Sequence, residues 1–284
     1  MQNSLVFEKD VNIDYKGYDY KTNTLTLKDI KDEVIHITLN NHIPSCMNIK
    51  VINSTVSIIE NYIGDINECN FVIDIDETSK LNRFSIIVDN KTNLKLVRDI
   101  NNKGIYESMQ IDLSEFNTES VENVNLINQE AFGSVIDGIY ALNKSNKTYQ
   151  TNLNHHESNC NSKAQIFAIN NDVAHVSIYT DAYIKNGAIR SITNQEGRII
   201  NLSDKCSGIV LPNLHIDEND VEASHSCSVG SLNLEHMYYL QSRGLSELQS
   251  RNILIRGYFN PILKNIDDKE ILNVINKVLE QRIG

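Results

Sequence analysis

Short β-strand signals recur through most of the chain and constrain its fold more than any other feature. From Met1 to about Asn219, runs rich in Ile, Val and Phe alternate with Asn, Asp, Gly and Ser roughly every ten to fifteen residues. A 3.6-residue helical period does not persist in this part, apart from a weak helical candidate at 114–121. This pattern predicts an almost all-β body. Clear strand signals are VSIIE (56–60), FVIDI (71–75), FSIIVD (84–89), AQIFAI (164–169), AHVSIY (174–179) and GRIINL (197–202).

Two all-β architectures are compatible with this pattern, an antiparallel sandwich or barrel and a parallel β-helix. Tight hairpins favour Asn-Gly and Asp-Gly turns, yet the chain has one of each, at Asn186-Gly187 and Asp137-Gly138. A solenoid tolerates broader corners, and its stacked Asn side chains can hydrogen-bond along the axis. The turn signals therefore favour the parallel β-helix over the sandwich.

The sequence pattern changes to a helical one near Ser231. Leu234, Met237 and Tyr238 follow helical spacing, Asn233 or Ser231 can cap the helix start, and Gly244 suits the left-handed position after its end. These positions predict a first helix within the segment LNLEHMYYLQSRG.

Two more helices are predicted after the first. Ser246 with Gln249 fits a capping box, and Pro261 is expected to close this second helix. The apolar positions assigned to it are Leu248, Ile253, Leu254 and Phe259.

A third helix is expected from about Asp268 to Arg282, with a stripe of apolar residues on one face. The chain is therefore predicted to comprise a β-helix core at 1–230 and a small α-helical domain at 231–284. The stripe consists of Ile271, Leu272, Ile275, Val278 and Leu279.

Charge and composition narrow the range of binding partners and cellular compartments that we expect for the protein. A net charge of −11 and a pI near 5.2 disfavour binding to nucleic acid or to an anionic membrane. The N-terminal segment shows no signal-peptide pattern, and no apolar run reaches the roughly 18 residues of a membrane helix. The five cysteines are scattered and form no CxxC pair, which argues against a disulfide framework and a finger-type zinc site. We expect a cytoplasmic protein.

Three potential metal donors lie close together just before the helical segment. On a strand, His225 and Cys227 point to the same face because the side-chain period is two, whereas Glu222 points to the other face. Imidazole and thiolate are suitable ligands for iron, zinc or an iron–sulfur cluster. The alternative interpretation is a polar turn that contains a buried cysteine.

Two further clusters of donor residues occur earlier in the chain. The segment NHHESNCNSK at 154–163 is interpreted as a polar loop, because its adjacent histidines face opposite sides of a strand. Cys206 has Asp204 and His215 near it and precedes Cys227 by about twenty residues. In a solenoid that interval is roughly one coil, so the two cysteines are expected to stack.

Common catalytic motifs are absent from the sequence. It contains no GxxxxGK[ST], no GxSxG and no HExxH, so the chain is expected to bind no nucleotide itself. Arg243 and Arg256 in the helical segment are interpreted either as ordinary surface charges or, with the neighbouring aromatic residues, as part of a docking surface.

The segment PNLHIDENDVEASHSCSVGSLNLEHMYYLQSRGLS resembles the signature block of the SufB/SufD family of iron–sulfur cluster assembly scaffolds. The upstream segment LSDKCSG is similar to that family's L-S-D segment, and the clear similarity covers about residues 150–260. The matching positions are Pro212, Leu214, Ile216, Asp220, Val221, Ser224, His225, Val229, Gly230, Tyr239, Leu240, Ser242, Arg243 and Gly244.

The resemblance implies a right-handed parallel β-helix followed by a helical C-terminal domain. It also implies that two such subunits pair through their β-helices and that each helical domain binds SufC, an ABC-type ATPase. ATP-driven dimerisation of the ATPases would then distort the pair of scaffolds and expose the site where a cluster forms. On this basis Tyr239, Arg243, Gly244 and Arg256 are expected to bind the ATPase or to shape its docking surface.

The resemblance also implies a set of site residues for a transient iron–sulfur cluster. His225 matches the interface histidine of SufD-type members, whereas Gly197 stands where SufB-type members have their ligand cysteine. Cys206 is then the nearest substitute, Cys227 lies beside His225, and Glu222 could ligate iron or shuttle protons. The chain has no long N-terminal extension of the kind typical of the family, which fits a minimal scaffold that pairs as a homodimer.

Three functional hypotheses follow from these features. The first is a non-enzymatic scaffold with His225, Cys227 and Cys206 as metal ligands. The second is a SufD-like partner subunit that binds no cluster itself, which Gly197 favours. The third is a β-helix carbohydrate-active enzyme, for which the YLxSRG helical segment would have no purpose.

Overall fold

The structure is a computed structural model of the chain, and it describes residues 4–6, 18–19, 21–264 and 269–283. Two parallel sheets face each other across a common interior. The first sheet contains, in spatial order, β1 (Ser4–Val6), β4 (Lys31–Leu39), β6 (Thr55–Gly64), β8 (Lys80–Asn90), β10 (Ile105–Asp112), β12 (Phe132–Ala141), β14 (Asn161–Asn170), β16 (Ile192–Asn201) and β18 (Glu222–Ser231). The second contains β17 (Ser207–Ile216), β15 (His175–Ile184), β13 (Asn146–His155), β11 (Thr118–Leu126), β9 (Leu94–Asn102), β7 (Glu68–Ile75), β5 (Cys46–Ile52), β3 (Thr24–Lys28) and β2 (Tyr18–Asp19).

From β3 onward, successive strands alternate between the two sheets, so the chain winds as a solenoid of about eight turns. From β3 onward each strand pairs in parallel with the strand one coil away, whereas β2 and β3 pair antiparallel. This arrangement confirms the predicted parallel β-helix and excludes the sandwich. Four of the six predicted strand segments lie within strands, and the other two, 174–179 and 197–202, each extend one residue beyond β15 and β16. The right-handed sense of the coil stays a prediction.

The helical candidate at 114–121 was wrong. Residues 113–117 form a corner, and β11 begins at Thr118. The segment SVENVNL has β-branched residues facing alternately inward and outward, and the inward ones stack on the neighbouring coils. This stacking outweighs the weak helical signal.

The interior of the solenoid is apolar at its N-terminal end. Inward-facing side chains such as Leu25, Ile37, Ile49, Ile58 and Phe71 are buried and form one continuous cluster. The strands here alternate buried and more exposed residues, because one face of each sheet lines the interior and the other faces outward. Burial of these side chains is the main source of stability for the coils.

The coils lengthen along the chain. Asn53 bonds to Asp29, 24 residues earlier, whereas Asn213 bonds to Asp181, 32 residues earlier. Because each pair joins one coil to the next, the C-terminal coils are about a third longer than the N-terminal coils.

A ladder of amide and carboxylate groups runs across the outer face of the second sheet. The Asn152 side chain donates to Asn123 at 2.6 Å, and Asn123 donates to Asp99 at 2.6 Å. Asp181 and Asn213 continue the same row on β15 and β17. The predicted Asn ladders are thus confirmed, and they explain part of the high Asn content.

Three helices follow the last strand: α1 (Leu234–Ser242), α2 (Glu247–Leu263) and α3 (Lys269–Ile283). Asn233 caps α1, Ser246 and Gln249 form the predicted capping box of α2, and Gly244 has a φ of +92° after α1. The expectation that Pro261 closes α2 was wrong, because the helix continues to Leu263. A proline so close to the helix end disturbs only the last turn.

The helices α2 and α3 cover the outer face of the first sheet. Ile255, Phe259 and Ile262 of α2 and Ile275 and Leu279 of α3 are buried against outward-facing apolar residues of the strands. The buried stripe of α2 therefore includes Phe259 but not Leu248 or Ile253, which are 46% and 47% exposed. The sequence did not separate them, because apolar residues occur on both sides of this helix.

Gly138 on β12 allows α2 to approach the sheet closely. A Cβ at this position would lie 2.5 Å from Cδ1 of Ile262 and 3.2 Å from the Phe259 ring. The helices thus share a hydrophobic core with the strands, and the proposed domain boundary at 230/231 stays a prediction. Within the described ranges, no helix combines the length and apolar character needed to cross a lipid bilayer.

Candidate functional site

The C-terminal end of the solenoid is open. The last strand of each sheet pairs on one side only, β18 with β16 and β17 with β15, and no strand in the described ranges pairs with their other edges. Nearly every residue of β18 is exposed, although the preceding strand β16 has buried residues at alternate positions. Both strands therefore present unpaired backbone N–H and C=O groups, which are able to accept another strand.

His225 and Cys227 lie on the inner face of this open coil. In the register of β16 and β18, His225 is opposite Gln195 and Cys227 is opposite Gly197. Gln195 and Gly197 are buried and face the interior, so their neighbours on β18 continue the same inward face. The imidazole and thiol therefore lie side by side above the last covered coil, on the shared face that their spacing predicts.

Glu222 lies away from these two residues. It is the first residue of β18, is exposed and pairs with Ile192, whose side chain is on the outer face of the sheet. The strand is regular here, so no bulge brings the Glu222 carboxylate to the inner face.

Cys206 is in a corner of the preceding coil. It is 8% exposed, and its thiol contacts the carbonyl oxygens of Ser203 at 2.9 Å and Asn170 at 3.3 Å. The expected stacking of Cys206 on Cys227 was wrong, because a coil here has 30 residues, as the bond between Asn194 and Ser224 shows. The residue one coil before Cys227 is Gly197.

Packed side chains form the floor of the open coil. A Cβ on Gly197 would lie 2.4 Å from Cγ1 of Val210, so the inward space beneath Cys227 is filled by that valine. Beneath His225, the Gln195 amide accepts from the Thr180 hydroxyl at 3.3 Å and donates to the Asn213 carbonyl at 3.2 Å. These contacts join the two sheets and hold β16 in place under the site.

Within the part of the chain that the structure describes, no group of three or more His, Cys, Asp or Glu side chains is arranged to hold a metal ion. The NHHESNCNSK segment likewise forms no site in these residues. His155 is buried at the end of β13, where its Nε2 is 2.7 Å from the Ser162 hydroxyl, and burial lowers the pKa of His155 to about 4. His156 instead lies 3.0 Å from the Lys185 amine.

Helix α1 presents an uncovered surface. None of its residues is buried, and Leu234, Tyr238 and Tyr239 are 79%, 75% and 57% exposed. The Arg243 guanidinium lies over the Tyr239 ring at 5.2 Å, a distance that allows a cation–π interaction. This apolar and aromatic surface is adjacent to the open end of the solenoid in the sequence.

The other two residues assigned to partner binding have contacts within the chain. Gly244 ends α1 and turns the chain toward α2. Arg256 donates to Glu280 at 2.6 Å and to Asn276 at 3.4 Å and so links α2 to α3. These contacts favour a structural role for both residues.

A cluster of charged residues lies inside the solenoid, and none of its members is among the predicted site residues. Arg83 on β8 donates to Glu60 at 3.0 Å and to Glu122 at 2.7 Å, and both carboxylates also lie near Arg98. On the next coils Lys147 donates to Asp112 at 2.7 Å. The sequence feature that could have revealed this cluster is the alternation of side chains along a strand, because charged residues occur at positions that share a face with buried apolar ones.

The cluster contains paired charges. Burial alone would raise the pKa of Glu60, but the guanidinium groups of Arg83 and Arg98 hold it below its usual value. Burial acts in the same way on Asp112, and Lys147 lowers the pKa of that carboxyl. Each of these ion pairs is fully enclosed by the two sheets.

The fold and the open coil together define a class of protein. It is a parallel β-solenoid that is followed by a helical segment, and the free edge of its last coil exposes an imidazole and a thiol side by side. Residues 48–258 match the family described as the SUF system FeS cluster assembly, SufBD core domain. The match covers most of the chain, and the protein belongs to the SufB/SufD family of iron–sulfur cluster assembly proteins.

Curated relatives agree with this family. The chain is 24% identical to the iron–sulfur cluster assembly protein SufD of Bacillus subtilis over 241 residues, which is 81% of this chain and 55% of that protein. It is 25% identical to SufD of Plasmodium berghei over 92% of this chain and 20% of that protein. A SufBD family protein of Mycobacterium tuberculosis is 30% identical over 39% of this chain and 28% of its own length. The chain thus spans about half or less of these relatives.

Proposed function

We propose that the protein is a scaffold subunit on which an iron–sulfur cluster is assembled or from which it is transferred, at an interface between two solenoids. The observation that carries this proposal is the open terminal coil, which combines two free sheet edges with an inward-facing imidazole and thiol. The chain acts as a scaffold and not as an enzyme. Its proposed partners are an ABC-type ATPase similar to SufC and a second SufB/SufD-type subunit.

The donor count supports an interface site. Iron–sulfur clusters take four protein ligands in most cases, and the inner face of the last coil supplies two, His225 and Cys227. A second chain that pairs edge to edge with β17 or β18 would place its own donors opposite these two. In this arrangement the cluster is cargo, held between the chains and released to a recipient protein.

The ligand proposal is tested by anaerobic reconstitution of the complex formed on co-expression with the ATPase. Cys227→Ala and His225→Ala should each lower the bound iron and sulfide severalfold, because each removes one of the two ligands that this chain is proposed to supply. Cys46→Ala is the matched control, since Cys46 is an exposed cysteine on β5 far along the solenoid. Equal loading of the two site variants and the control would contradict the assignment of these ligands.

Helix α1 is the proposed contact for the ATPase. Its residues Leu234, Tyr238 and Tyr239 stay largely exposed in the part of the chain that the structure describes, and such an exposed apolar surface is typical of a partner contact. Arg243 holds the Tyr239 ring in place from one side. ATP-driven movement at α1 would act on the chain directly after β18, and so on the strand that carries the proposed ligands.

Co-purification with the ATPase tests this contact. Tyr238→Ser and Leu234→Ser should reduce the retained ATPase at least tenfold, while the fold is unchanged because both side chains are exposed. Ile63→Ser is the control, a similar loss of an exposed apolar residue on β6. If the control and the α1 variants retain the same amount of ATPase, the docking surface lies elsewhere.

A SufD-like role without a complete ligand set of its own is the second candidate. This chain has Gly197 and not a cysteine at that inner position, and Val210 fills the space that a side chain there would need. Two of the relatives are named SufD. Analytical ultracentrifugation of the chain alone and with an unlike SufB-type subunit separates the two roles: a stable homodimer that loads a cluster favours the first, and loading only in the mixed complex favours the second.

A further inference from the structure

Among the residues that the structure describes, the buried carboxyl group of Asp137 forms no ion pair with a cation. The side chain of Asp137, on β12, is 4% exposed and faces the interior, and its Oδ1 accepts no hydrogen bond. In the first sheet it lies between Gln110 on β10 and Ile166 on β14. An unpaired charge enclosed in this way has a high desolvation cost.

The other charges of the interior already balance. Arg83 and Arg98 form ion pairs with Glu60 and Glu122. Lys147 forms an ion pair with Asp112, which also accepts from the Tyr149 hydroxyl at 2.8 Å. Three cations thus match three carboxylates, and an ionised Asp137 would leave an uncompensated negative charge in the core.

We infer that Asp137 is a proton-binding site: its carboxyl group is protonated in the folded protein, and this proton keeps the solenoid interior neutral. The site is separate from the terminal coil and does not depend on the proposed function. The bound proton is a ligand of the folded state, since the exposed carboxyl group of the unfolded chain has already released its proton well below neutral pH.

The surroundings explain why the proton lies on Asp137. The neighbouring Glu122 carboxylate already accepts hydrogen bonds from Arg83 at 2.7 Å and from the Tyr106 hydroxyl at 2.8 Å, whereas Oδ1 of Asp137 accepts none. Burial raises the pKa of Asp137 to about 8, and the Glu122 carboxylate adds to the rise. Charged or titratable groups that face Asp137 are Arg83 on β8, Arg98 on β9, Asp112 on β10, Glu122 on β11 and Tyr149 on β13.

The sign of the pH effect follows from this. The carboxyl group of Asp137 binds its proton more tightly in the folded state, with a pKa of about 8 against about 3.9 in the unfolded chain. The stabilisation of the folded state by the proton on Asp137 has its full value below pH 4, and it is lost progressively as the pH rises to about 8. Above about pH 8 the contribution of Asp137 to the free energy of unfolding no longer changes with pH.

The test compares the full chain with Asp137→Asn in unfolding experiments between pH 5 and pH 9. The unfolding equilibrium constant of the wild type, relative to that of the variant, should rise about tenfold per pH unit up to about pH 8 and then level off. Asp99→Asn is the matched control, because the same change is made on the outer Asn ladder. A ratio for Asp137→Asn that does not change with pH overturns the inference.

Infrared spectroscopy gives a second, independent measurement. At pH 7 the wild type should show the carbonyl band of a protonated carboxylic acid, and Asp137→Asn should lack it. If Asp137→Asn does not fold, the wild type alone carries the test, since its band must disappear reversibly as the pH passes about 8. A folded wild type without such a band overturns the inference.

Discussion

At the residue scale, Gly197 decides what the floor of the open coil can contain. The residue lies one coil beneath Cys227, and any Cβ there would overlap Cγ1 of Val210. The sequence gives the identity of this glycine but not its packing, because Val210 comes from the other sheet. Only the coil register brings the two together.

Gly197→Ala is expected to lower the free energy of unfolding by about 1–3 kcal/mol, the usual cost of overpacking a core. Gly230→Ala on the adjacent strand β18 is the control, since no atom lies within 4 Å of its Cβ position. Chemical denaturation measures both variants. The double variant Gly197→Ala/Val210→Ala should regain part of the loss, and a double variant no better than the single one would contradict the packing.

His155 makes a second residue-scale prediction, on the acid side. Burial lowers the pKa of His155 to about 4, whereas the unfolded chain binds a proton near pH 6.5. The unfolded state therefore takes up the proton first, and the wild type loses stability as the pH falls from 6.5 to 4.

His155→Gln should remove this loss, which amounts to about 1.4 kcal/mol per pH unit over that range. Thermal unfolding of both proteins at pH 7, 6 and 5 measures the difference. His42→Gln is the control because His42 is an exposed histidine in a loop. A constant gap between wild type and His155→Gln at all three pH values would contradict a buried neutral His155.

At the scale of elements, the strands and helix caps could be predicted and the helix faces could not. The six strand segments and the Ser246 capping box are local patterns of neighbouring residues, and local patterns are visible in a sequence. The choice between Phe259 and Ile253 for the buried side of α2 depends on Gly138, more than a hundred residues earlier. Such long-range contacts leave no mark in a single sequence.

Phe259→Ala is expected to loosen α2 and α3 from the first sheet. The ring is 1% exposed and packs at Gly138, so its loss should cost about 3–5 kcal/mol. Ile253→Ala removes a 47% exposed side chain of the same helix and should change stability by less than about 0.5 kcal/mol. Hydrogen exchange should show faster exchange of α2 amides in the first variant only, and equal exchange in both would contradict this packing.

At the scale of the whole molecule, the sequence predicted the solenoid but not its coil length near the end. Cys206 was assigned to the site on the assumption of a coil of about twenty residues, whereas a coil there has 30. His225 and Cys227 were assigned correctly to one face because their spacing is local. The charged interior was missed because an inward position can be recognised only after the register is known.

The free edges predict how the molecule associates. Ser226→Lys on β18 introduces the charge with which natural edge strands prevent pairing, so it should weaken self-association or pairing with an unlike subunit at least tenfold. Thr148→Lys on β13 is the control, because both edges of β13 are already paired. Sedimentation analysis at several protein concentrations gives the comparison, and an unchanged association constant for Ser226→Lys would place the contact away from β18.

The gradual lengthening of the coils makes the two ends of the molecule unlike. The interval between stacked residues rises from 24 in the N-terminal coils to 30–32 in the C-terminal coils, so the C-terminal coils have a larger perimeter. Among the coils that the structure describes, a wide C-terminal coil matches another wide coil in perimeter better than it matches a narrow one, which disfavours head-to-tail stacking. The taper therefore favours pairing of two molecules through their wide coils, and such a pair leaves no second wide end on which a third molecule could add.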